Sequence, residues 1–529
     1  MKNRKSTKRA LLGSVMAMVL CLAMLVGATF AWFTDTASTG VNKIQAGKLD
    51  VALEMKEGDS WVSAEGKTLN WVKAAAGEQV LWEPGCTYTL PELRVVNNGN
   101  LALKYKIQIT GIQGDAKLNE VIDWTINDAA IDLTEGHLTA GQQGDAFTIK
   151  GHMKETAGND YQNLTIDGIG ITVYATQDTV ESDSFNNTYD ANAEYPAMPY
   201  VTSHEALNTS LTLADIPTNE ATGKHDPVEV ALGNTEAGDI AYSEHNSGYT
   251  GKGVMLGSTK LNSYAAAPAK AGEYTFVFKN GTINSAATGY SSIDNLKDTS
   301  VYMLVPGNSD VVFENMTFNG VVSFDIQMYT SPWSYLHSIT FKNCTFNGIV
   351  VGSCPAEKAT FDGCTFNNYT NTTYANNSNP IWWRAGTGYW GTGADESVHS
   401  LKEFTFVNNT VTSTRPVKIE RIGWNCTAGI TILDNTFDIS KQAGDSETKN
   451  MAINIGQRDN TSKFILTDDG NTISASTASL YTAALGSGSN QYVAVSGSKV
   501  LDRNGNDKVI TAMVWKTTTG ETFEMKTID

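Results

Sequence analysis

The residues with the clearest chemical potential form an aromatic cluster in the second half of the chain. Trp382, Trp383, Arg384, Tyr389 and Trp390 lie within nine residues. Other aromatic residues occur in an earlier and a later segment: Trp333, Tyr335 and Trp424. Aromatic rings and guanidinium groups stack on flat or apolar partners such as sugar rings. The cluster therefore predicts glycan contact; the alternative is that these side chains pack a long loop onto the fold.

Catalytic groups are harder to assemble from the sequence. Glycoside hydrolysis needs two carboxylates across a cleft, and no two of Asp325, Asp362 and Asp434 can be placed face to face. We expect these acids in turns or facing solvent. The pair His204-Glu205 lacks the second histidine of a helical zinc-peptidase motif. The sequence thus predicts no catalytic residue, no metal and no cofactor.

A six-residue phrase, Phe-x-Asn-x-Thr-Phe with variants, organises the region that carries the aromatic cluster. It recurs at Phe278–Ile283, Phe313–Phe318, Phe341–Phe346, Phe361–Phe366, Phe406–Val411 and Ile432–Phe437. The shortest step, from Phe341 to Phe361, is 20 residues, which is typical of one turn of a β-solenoid. In this interpretation the apolar residues point inward and the Asn turns the chain. Interruptions between copies then emerge on one side, where neighbouring turns bring them together.

Cysteine usage and charge exclude several classes of protein. Six cysteines are too few for a disulfide scaffold of 529 residues. Cys344 and Cys364 occupy the same place in successive phrases, which favours a buried stack of thiols and leaves a disulfide open. The net charge is −18; residues 1–31 hold five basic and no acidic residues, so the remainder has 33 − 56 = −23. Such an acidic chain disfavours nucleic acid as a partner.

The first 31 residues have the pattern of an export signal. A basic start precedes an apolar run from Ala10 to about Gly27, and small residues follow up to Ala31. Cleavage is predicted between Ala31 and Trp32. The alternative is an uncleaved membrane anchor, since the run is just long enough to span a bilayer.

Several segments, beginning at the end of this signal, resemble one family. They are Gly27–Asp35 (GATFAWFTD), Ala46–Val51 (AGKLDV), Glu83–Gly85 (EPG), Leu93–Leu103 (LRVVNNGNLAL) and Thr165–Gln177 (TIDGIGITVYATQ). The set resembles TasA/camelysin-like proteins of Gram-positive bacteria, whose signal is cut by a SipW-type peptidase. The resemblance implies an antiparallel jelly roll and assembly into biofilm fibres. It also implies that Trp32, Phe33, Thr34 and Asp35 begin a donor strand, running to Ile44, that completes the sheet of the next subunit.

The predicted fold class is all-β, with an N-terminal antiparallel β-sandwich followed by a right-handed parallel β-helix. The predicted boundaries are 1–31 for the signal peptide, 32–180 for the TasA-like sandwich, 181–218 for a linker or cap, 219–490 for the β-helix and 491–529 for a β-hairpin or cap. Alternating apolar residues at Leu49, Val51 and Leu53 predict a half-buried strand. The β-helix is similar to the pectate-lyase-like fold.

These patterns predict a secreted structural or adhesive protein of the bacterial cell surface or biofilm matrix. We expect it to assemble with itself or with other TasA-like subunits through its N-terminal part. Its β-helix would bind an extracellular polysaccharide. The alternative is a secreted polysaccharide lyase or glycoside hydrolase that acts through the β-helix. The sequence does not favour a metallopeptidase.

Overall fold

The computed structural model shows a mostly β chain. It describes residues 48–67, 69–72, 80–110, 113–114, 116–131, 134–164, 166–167, 170–179, 193, 195, 198–218, 224–241, 250–262, 269–291, 300–326, 336–353, 356–384, 401–422, 427–439, 451–457, 463–474, 479–487, 490–492, 498–517 and 521–528. The predicted signal peptide, its cleavage position at Ala31/Trp32 and the donor segment from Trp32 lie outside these residues. None of the helices in the described ranges is long and apolar enough to cross a membrane.

Residues 48–179, the N-terminal unit, contain short antiparallel strands. They are β1 (Val51–Glu57), β2 (Ser60–Ser63), β3 (Thr87–Thr89), β4 (Leu93–Asn97), β5 (Leu103–Thr110), β6 (Gln113–Gly114), β7 (Ile122–Ile126), β8 (Ala129–Ala130), β9 (Glu135–Leu138), β10 (Ile149–Met153), β11 (Ile166–Asp167) and β12 (Gly170–Gln177). The sheet orders are β2-β1-β4, β3-β10-β7-β8, β11-β6 and β12-β5-β9.

One apolar core is shared by strands of three of these sheets. Leu93 on β4, Leu103 on β5 and Ile149 on β10 are fully buried in the same cluster. The alternation of inward apolar and outward polar residues, seen in β10 as buried Ile149, Gly151 and Met153, produces this burial. The N-terminal unit therefore has its own core of antiparallel β structure.

The remaining strands, β13–β38, form one sheet of 26 strands, here called the solenoid. They are β13 (Tyr200–Ser203), β14 (Val228–Glu236), β15 (Gly238–Ala241), β16 (Thr250–Gly257), β17 (Thr275–Asn284), β18 (Ser300–Leu304), β19 (Asp310–Glu314), β20 (Thr317–Ile326), β21 (Leu336–Lys342), β22 (Thr345–Ser353), β23 (Ala356–Asp362), β24 (Thr365–Phe366), β25 (Ile381–Arg384), β26 (Glu403–Val407), β27 (Thr410–Ser413), β28 (Val417–Ile422), β29 (Thr427–Leu433), β30 (Thr436–Ile439), β31 (Met451–Gln457), β32 (Lys463–Asp469), β33 (Thr472–Ile473), β34 (Ser479–Ser487), β35 (Asn490–Tyr492), β36 (Lys499–Leu501), β37 (Ile510–Thr517) and β38 (Glu521–Ile528).

Most of these strands belong to three parallel ladders, whereas β15, β35 and β38 pair antiparallel with a neighbour. The first ladder is β14-β17-β19-β21-β23-β26-β29-β32-β36. The second joins the carboxyl half of β17 to β20, β22, β24, β27, β30 and β33. The third is β16-β18-β20-β22-β25-β28-β31-β34-β37. Each turn of chain, here called a rung, adds a strand to each ladder, an arrangement compatible with a parallel β-helix.

The helical segments within the described residues are α1 (His204–Thr209) and the 3-10 turns Ala116–Val121, Asn159–Tyr161, Leu213–Asp215 and Ala375–Asn377. Helix α1 begins at Ser203, whose Oγ accepts a hydrogen bond from the backbone N–H of Ala206. Leu207 on this helix is fully buried in the solenoid core. The helix thus contributes apolar surface to the amino-terminal end of the solenoid.

The repeated phrase forms the corner between the first and second ladders. Its third residue has a positive φ, from +51° at Asn343 to +66° at Gly363, a conformation that Asn, Asp and Gly tolerate best. Its apolar residues stack inward: Phe341 and Phe361 are fully buried, with ring centroids 4.7 Å apart. The interpretation of the phrase as a turn between two inward-facing apolar residues is confirmed.

The fourth residue of the phrase also points inward, and its chemistry changes along the solenoid. Cys344 and Cys364 are free thiols, both buried, so the disulfide alternative is not formed. Their Sγ atoms donate to the carbonyl oxygens of Phe313 and Phe341, each at 3.4 Å. Burial raises the pKa of the Cys364 thiol far above its ordinary value. Both cysteines therefore act as small apolar residues.

In the following rungs the same place holds Asn409, Asn435 and Asn471. Asn409 Nδ2 donates to Asn435 Oδ1 at 3.0 Å, and Asn435 Nδ2 donates to Asn471 Oδ1 at 2.9 Å. The last amide, Asn471 Nδ2, donates to Asp468 Oδ1 at 2.8 Å, and Lys508 pairs with that carboxylate at 2.8 Å. The buried amides thus bond to one another and end on an ion pair.

Candidate functional site

The aromatic cluster begins on β25, in the third ladder. Register pairs place Trp382 beside Val351 and Lys418, and Trp383 beside Gly352 and Ile419. Because successive side chains point to opposite faces of a strand, the two tryptophans have opposite orientations. Trp382 is half-buried on the outer face, whereas Trp383 faces the solenoid core.

Burial corrects our expectation for Trp383. Its side chain is 0% exposed and packs edge-on against Phe361, with ring centroids 5.7 Å apart. Gly352 makes room for the indole, since a Cβ at that glycine would lie 2.4 Å from Cε3 of Trp383. The indole Nε1 has no hydrogen-bond partner. Trp383 is therefore a core residue and is removed from the candidate glycan contacts.

Trp382 contributes to a separate apolar cluster on the outside of the third ladder. This outer cluster contains Val321, Ile349, Val351, Tyr290, Ala287 and Tyr369 besides Trp382. The Lys418 Nζ lies 4.0 Å from the centroid of the Trp382 ring, a cation–π contact. A ligand would therefore meet an indole that already carries a lysine ammonium over its ring, rather than an open aromatic face.

Two loops that the sequence did not predict cover this outer cluster. Asn371, 1% exposed, joins them: its Oδ1 accepts from the N–H of Tyr290 at 3.0 Å, and its Nδ2 donates to the carbonyl of Tyr290 at 2.8 Å. The Tyr369 hydroxyl donates to the carbonyl of Thr288 at 2.9 Å. The unbroken apolar run Ile349-Val350-Val351 could have indicated that loops cover this face. A strand buried on both faces lacks the usual alternation of apolar and polar residues.

The other candidate glycan contacts follow the ends of neighbouring strands. Strands β20, β22, β25 and β28 are consecutive neighbours, and their carboxyl ends form what we call the exit edge. Arg384 ends β25 there, in register with Ser353 and Glu420; its side chain is not described. Five predicted contacts follow the exit edge in sequence but lie outside the described residues: Trp333, Tyr335, Tyr389, Trp390 and Trp424.

The acidic residues near the repeated phrase have structural partners. Asp362 accepts a hydrogen bond from Asn408 Nδ2 at 3.0 Å, and Asp434 pairs with Arg503 at 2.8 Å. The side chain of Asp325 is not described. Asp434 lies in a turn of the solenoid, as expected from the sequence, whereas Asp362 is the last residue of β23, directly before such a turn.

A serine, a histidine and an aspartate meet on the first ladder without forming a proton relay. His337 Nδ1 lies 2.7 Å from Asp310 Oδ1, and the Ser338 hydroxyl donates to the same Asp310 oxygen at 2.5 Å. Nucleophilic catalysis needs the serine bonded to the histidine. The described contacts therefore tie both side chains to the aspartate and do not activate Ser338.

His204, the histidine of the incomplete zinc motif, bonds to the backbone. Its Nε2 lies 2.7 Å from the carbonyl oxygen of Met255, and burial lowers the pKa of its imidazole. Among the described residues, no group of three or more His, Cys, Asp or Glu side chains could hold a metal ion.

The comparison with protein families bears on the amino-terminal end of the chain. Residues 6–58 match the family model described as camelysin metallo-endopeptidase. The chain therefore has a camelysin/TasA-like N-terminus. The match covers a small part of the chain and stops within the N-terminal unit, shortly after β1. No curated protein and no solved structure matches the chain.

Proposed function

We propose that this chain is a secreted structural or adhesive protein of the bacterial cell surface or biofilm matrix. The camelysin/TasA-like N-terminus at residues 6–58 is the observation that carries the proposal. The export pattern of residues 1–31 supports secretion from a Gram-positive bacterium, with cleavage between Ala31 and Trp32.

In this proposal the N-terminal unit, within residues 32–180, is a jelly-roll sandwich that mediates assembly. Its antiparallel sheets and their shared core support that fold. The segment Trp32 to Ile44 completes the sheet of another subunit by adding a strand, a mode in which backbone hydrogen bonds give affinity and alternate side chains give specificity.

The part of the solenoid within residues 219–490 is proposed to be a right-handed, pectate-lyase-like β-helix that displays a glycan-binding surface. The third ladder supports this role, since Trp382 and Lys418 lie side by side on its outer face, and β20, β25 and β28 end at the exit edge, after which the other candidates follow in sequence. The extracellular polysaccharide would be held by ring contacts and by the lysine charge.

The test is secretion and assembly in a Gram-positive host with a SipW-type peptidase. Amino-terminal sequencing of the secreted chain should start at Trp32, and electron microscopy should show filaments or decorated fibres. A chain lacking Trp32 to Ile44 should be secreted without assembling. Unchanged filament yield from that deletion would remove the assembly role. Release of reducing or unsaturated sugar from polysaccharides would favour a degradative enzyme instead.

A further inference from the structure

A pocket in the N-terminal unit, distant in sequence from the solenoid site, has the features of a ligand site. Its volume is about 760 Å³, within the range of roughly 300–1,000 Å³ common for small-molecule sites. Its floor is apolar and buried, formed by Leu118, Ile122 and Met153. We call it the tryptophan pocket, after Trp71 and Trp82 in its wall.

The aromatic wall is held in place by neighbouring rings. Trp71 and Trp82 meet edge to face with centroids 5.4 Å apart, and Trp71 stacks on Trp124 at 6.0 Å. The indole N–H of Trp124 donates to Asn119 Oδ1 at 2.8 Å, which fixes that ring. Trp82 packs against Tyr88 at 5.2 Å. The wall therefore needs little ordering when a ligand binds.

Part of the lining is polar. Exposed Asn159, Gln162 and Asn163 and the carboxylate of Glu83 line the pocket beside the rings and the apolar floor. Amides donate to and accept from hydroxyl groups and a carboxylate accepts from them, whereas the ring faces suit a C–H surface. A ligand that carries apolar C–H groups and hydroxyl groups on one flat ring fits both parts of this lining.

Charge selects among such ligands. None of the residues that line the tryptophan pocket is Lys, Arg or His, and Glu83 is acidic. The chain as a whole has a net charge of −18. An anionic sugar would be repelled here. We propose that the tryptophan pocket binds the end of a neutral oligosaccharide, with its pyranose face on Trp82 and its hydroxyls toward Gln162 and Asn159.

This second sugar site is independent of the solenoid surface. It lies in the unit that the proposed function assigns to assembly, so that unit would also attach to neutral glycans. Filament formation and sugar binding can fail separately, since the first depends on residues 32–44 and the second on the tryptophan pocket.

The experiment is calorimetric titration of the purified secreted chain with cellotetraose, maltotetraose and N-acetylated chitotetraose. Saturable binding of at least one sugar is expected. Trp82→Ala should weaken it at least about tenfold and Gln162→Ala about threefold, in line with loss of a buried ring contact and of one hydrogen bond. Because Gln162 is exposed, its variant keeps the test valid if Trp82→Ala fails to fold.

Two controls localise the effect. Trp61→Ala removes a half-buried indole outside the pocket, under the Arg94 guanidinium at 4.5 Å, and should leave the affinity unchanged. Trp382→Ala alters the solenoid site and should also leave it unchanged. Absence of saturable binding for all three sugars overturns the proposal, as does equal weakening by Trp61→Ala. A third outcome uses the apolar probe 8-anilinonaphthalene-1-sulfonate. If its binding requires Trp82 and sugar does not displace it, the pocket has an apolar occupant and the proposal is overturned.

Discussion

The adjacent tryptophans of β25 allow a direct test of the register of the solenoid. Trp383→Ala removes a fully buried ring between Phe361 and the backbone of Gly352. The surrounding strands are fixed by parallel ladders and cannot collapse into the space, so we expect a loss of about 3–5 kcal/mol in the free energy of unfolding. Trp382→Ala removes a half-buried ring under Lys418, and about 1 kcal/mol is expected.

Urea unfolding of both variants, followed by far-ultraviolet circular dichroism, measures the difference. A third variant, Trp383→Phe, keeps most of the volume and removes an indole N–H that has no hydrogen-bond partner. Since a buried unpaired donor costs about 1–3 kcal/mol, the lost contacts and the removed donor should nearly cancel. A one-residue slip of β25 would exchange the two faces. A larger loss for Trp382→Ala than for Trp383→Ala would therefore refute the assigned register.

Three further predictions concern buried polar groups and thiols. Asn435→Ala should lower the free energy of unfolding by about 2–3 kcal/mol, because the neighbouring amides lose a partner inside the core; Asn435→Gln, which is one methylene longer, should not restore it in urea unfolding. Alkylation of the unreduced chain, followed by mass spectrometry, should label Cys344 and Cys364 quickly in denaturant and slowly without it; an unlabelled pair would mean a disulfide. The His204 imidazole has a lowered pKa in the folded chain, so its contribution to stability is complete above the ordinary value of 6.5 and declines as the pH falls below it, since the unfolded chain then binds the extra proton. His204→Gln, which keeps a donor for the Met255 carbonyl, should lose less stability between pH 7 and pH 5 in denaturant titrations; an identical slope would contradict this.

The corners of the solenoid were predictable because their chemistry is local. A phrase with Asn343 or Asn408 between inward-facing apolar residues indicates a turn with positive φ wherever it occurs, and the structure has those turns. The turn depends on a few neighbouring residues, so tertiary context does not alter it. The repeat therefore predicted the stacked strands of the solenoid, which are compatible with a β-helix, and the place of its aromatic core.

The faces of Trp382 and Trp383 were not predictable in the same way. Two adjacent indoles give no alternation, and the deciding residue, Gly352, lies on another rung. Its lack of a side chain makes the space that Trp383 fills. The loops joined by Asn371 were missed for a similar reason, because residues 285–291 and 369–379 meet only once the rungs are stacked. In both cases the side-chain orientation or the loop contact depends on residues that are far apart in the chain.

The ladder of buried amides has a consequence for how this solenoid can change in length. Asn435 accepts hydrogen bonds from Asn409 on one rung and donates one to Asn471 on the next. Each asparagine rung therefore makes the same kind of amide hydrogen bond to the rung before it and to the rung after it. A whole rung can be duplicated between them with every amide still bonded, whereas part of a rung cannot. Asp468 and Lys508 end the series with a carboxylate and an ammonium group that no further asparagine could replace. We therefore expect whole rungs to be gained or lost within the asparagine ladder, while its end at Asp468 and Lys508 stays the same.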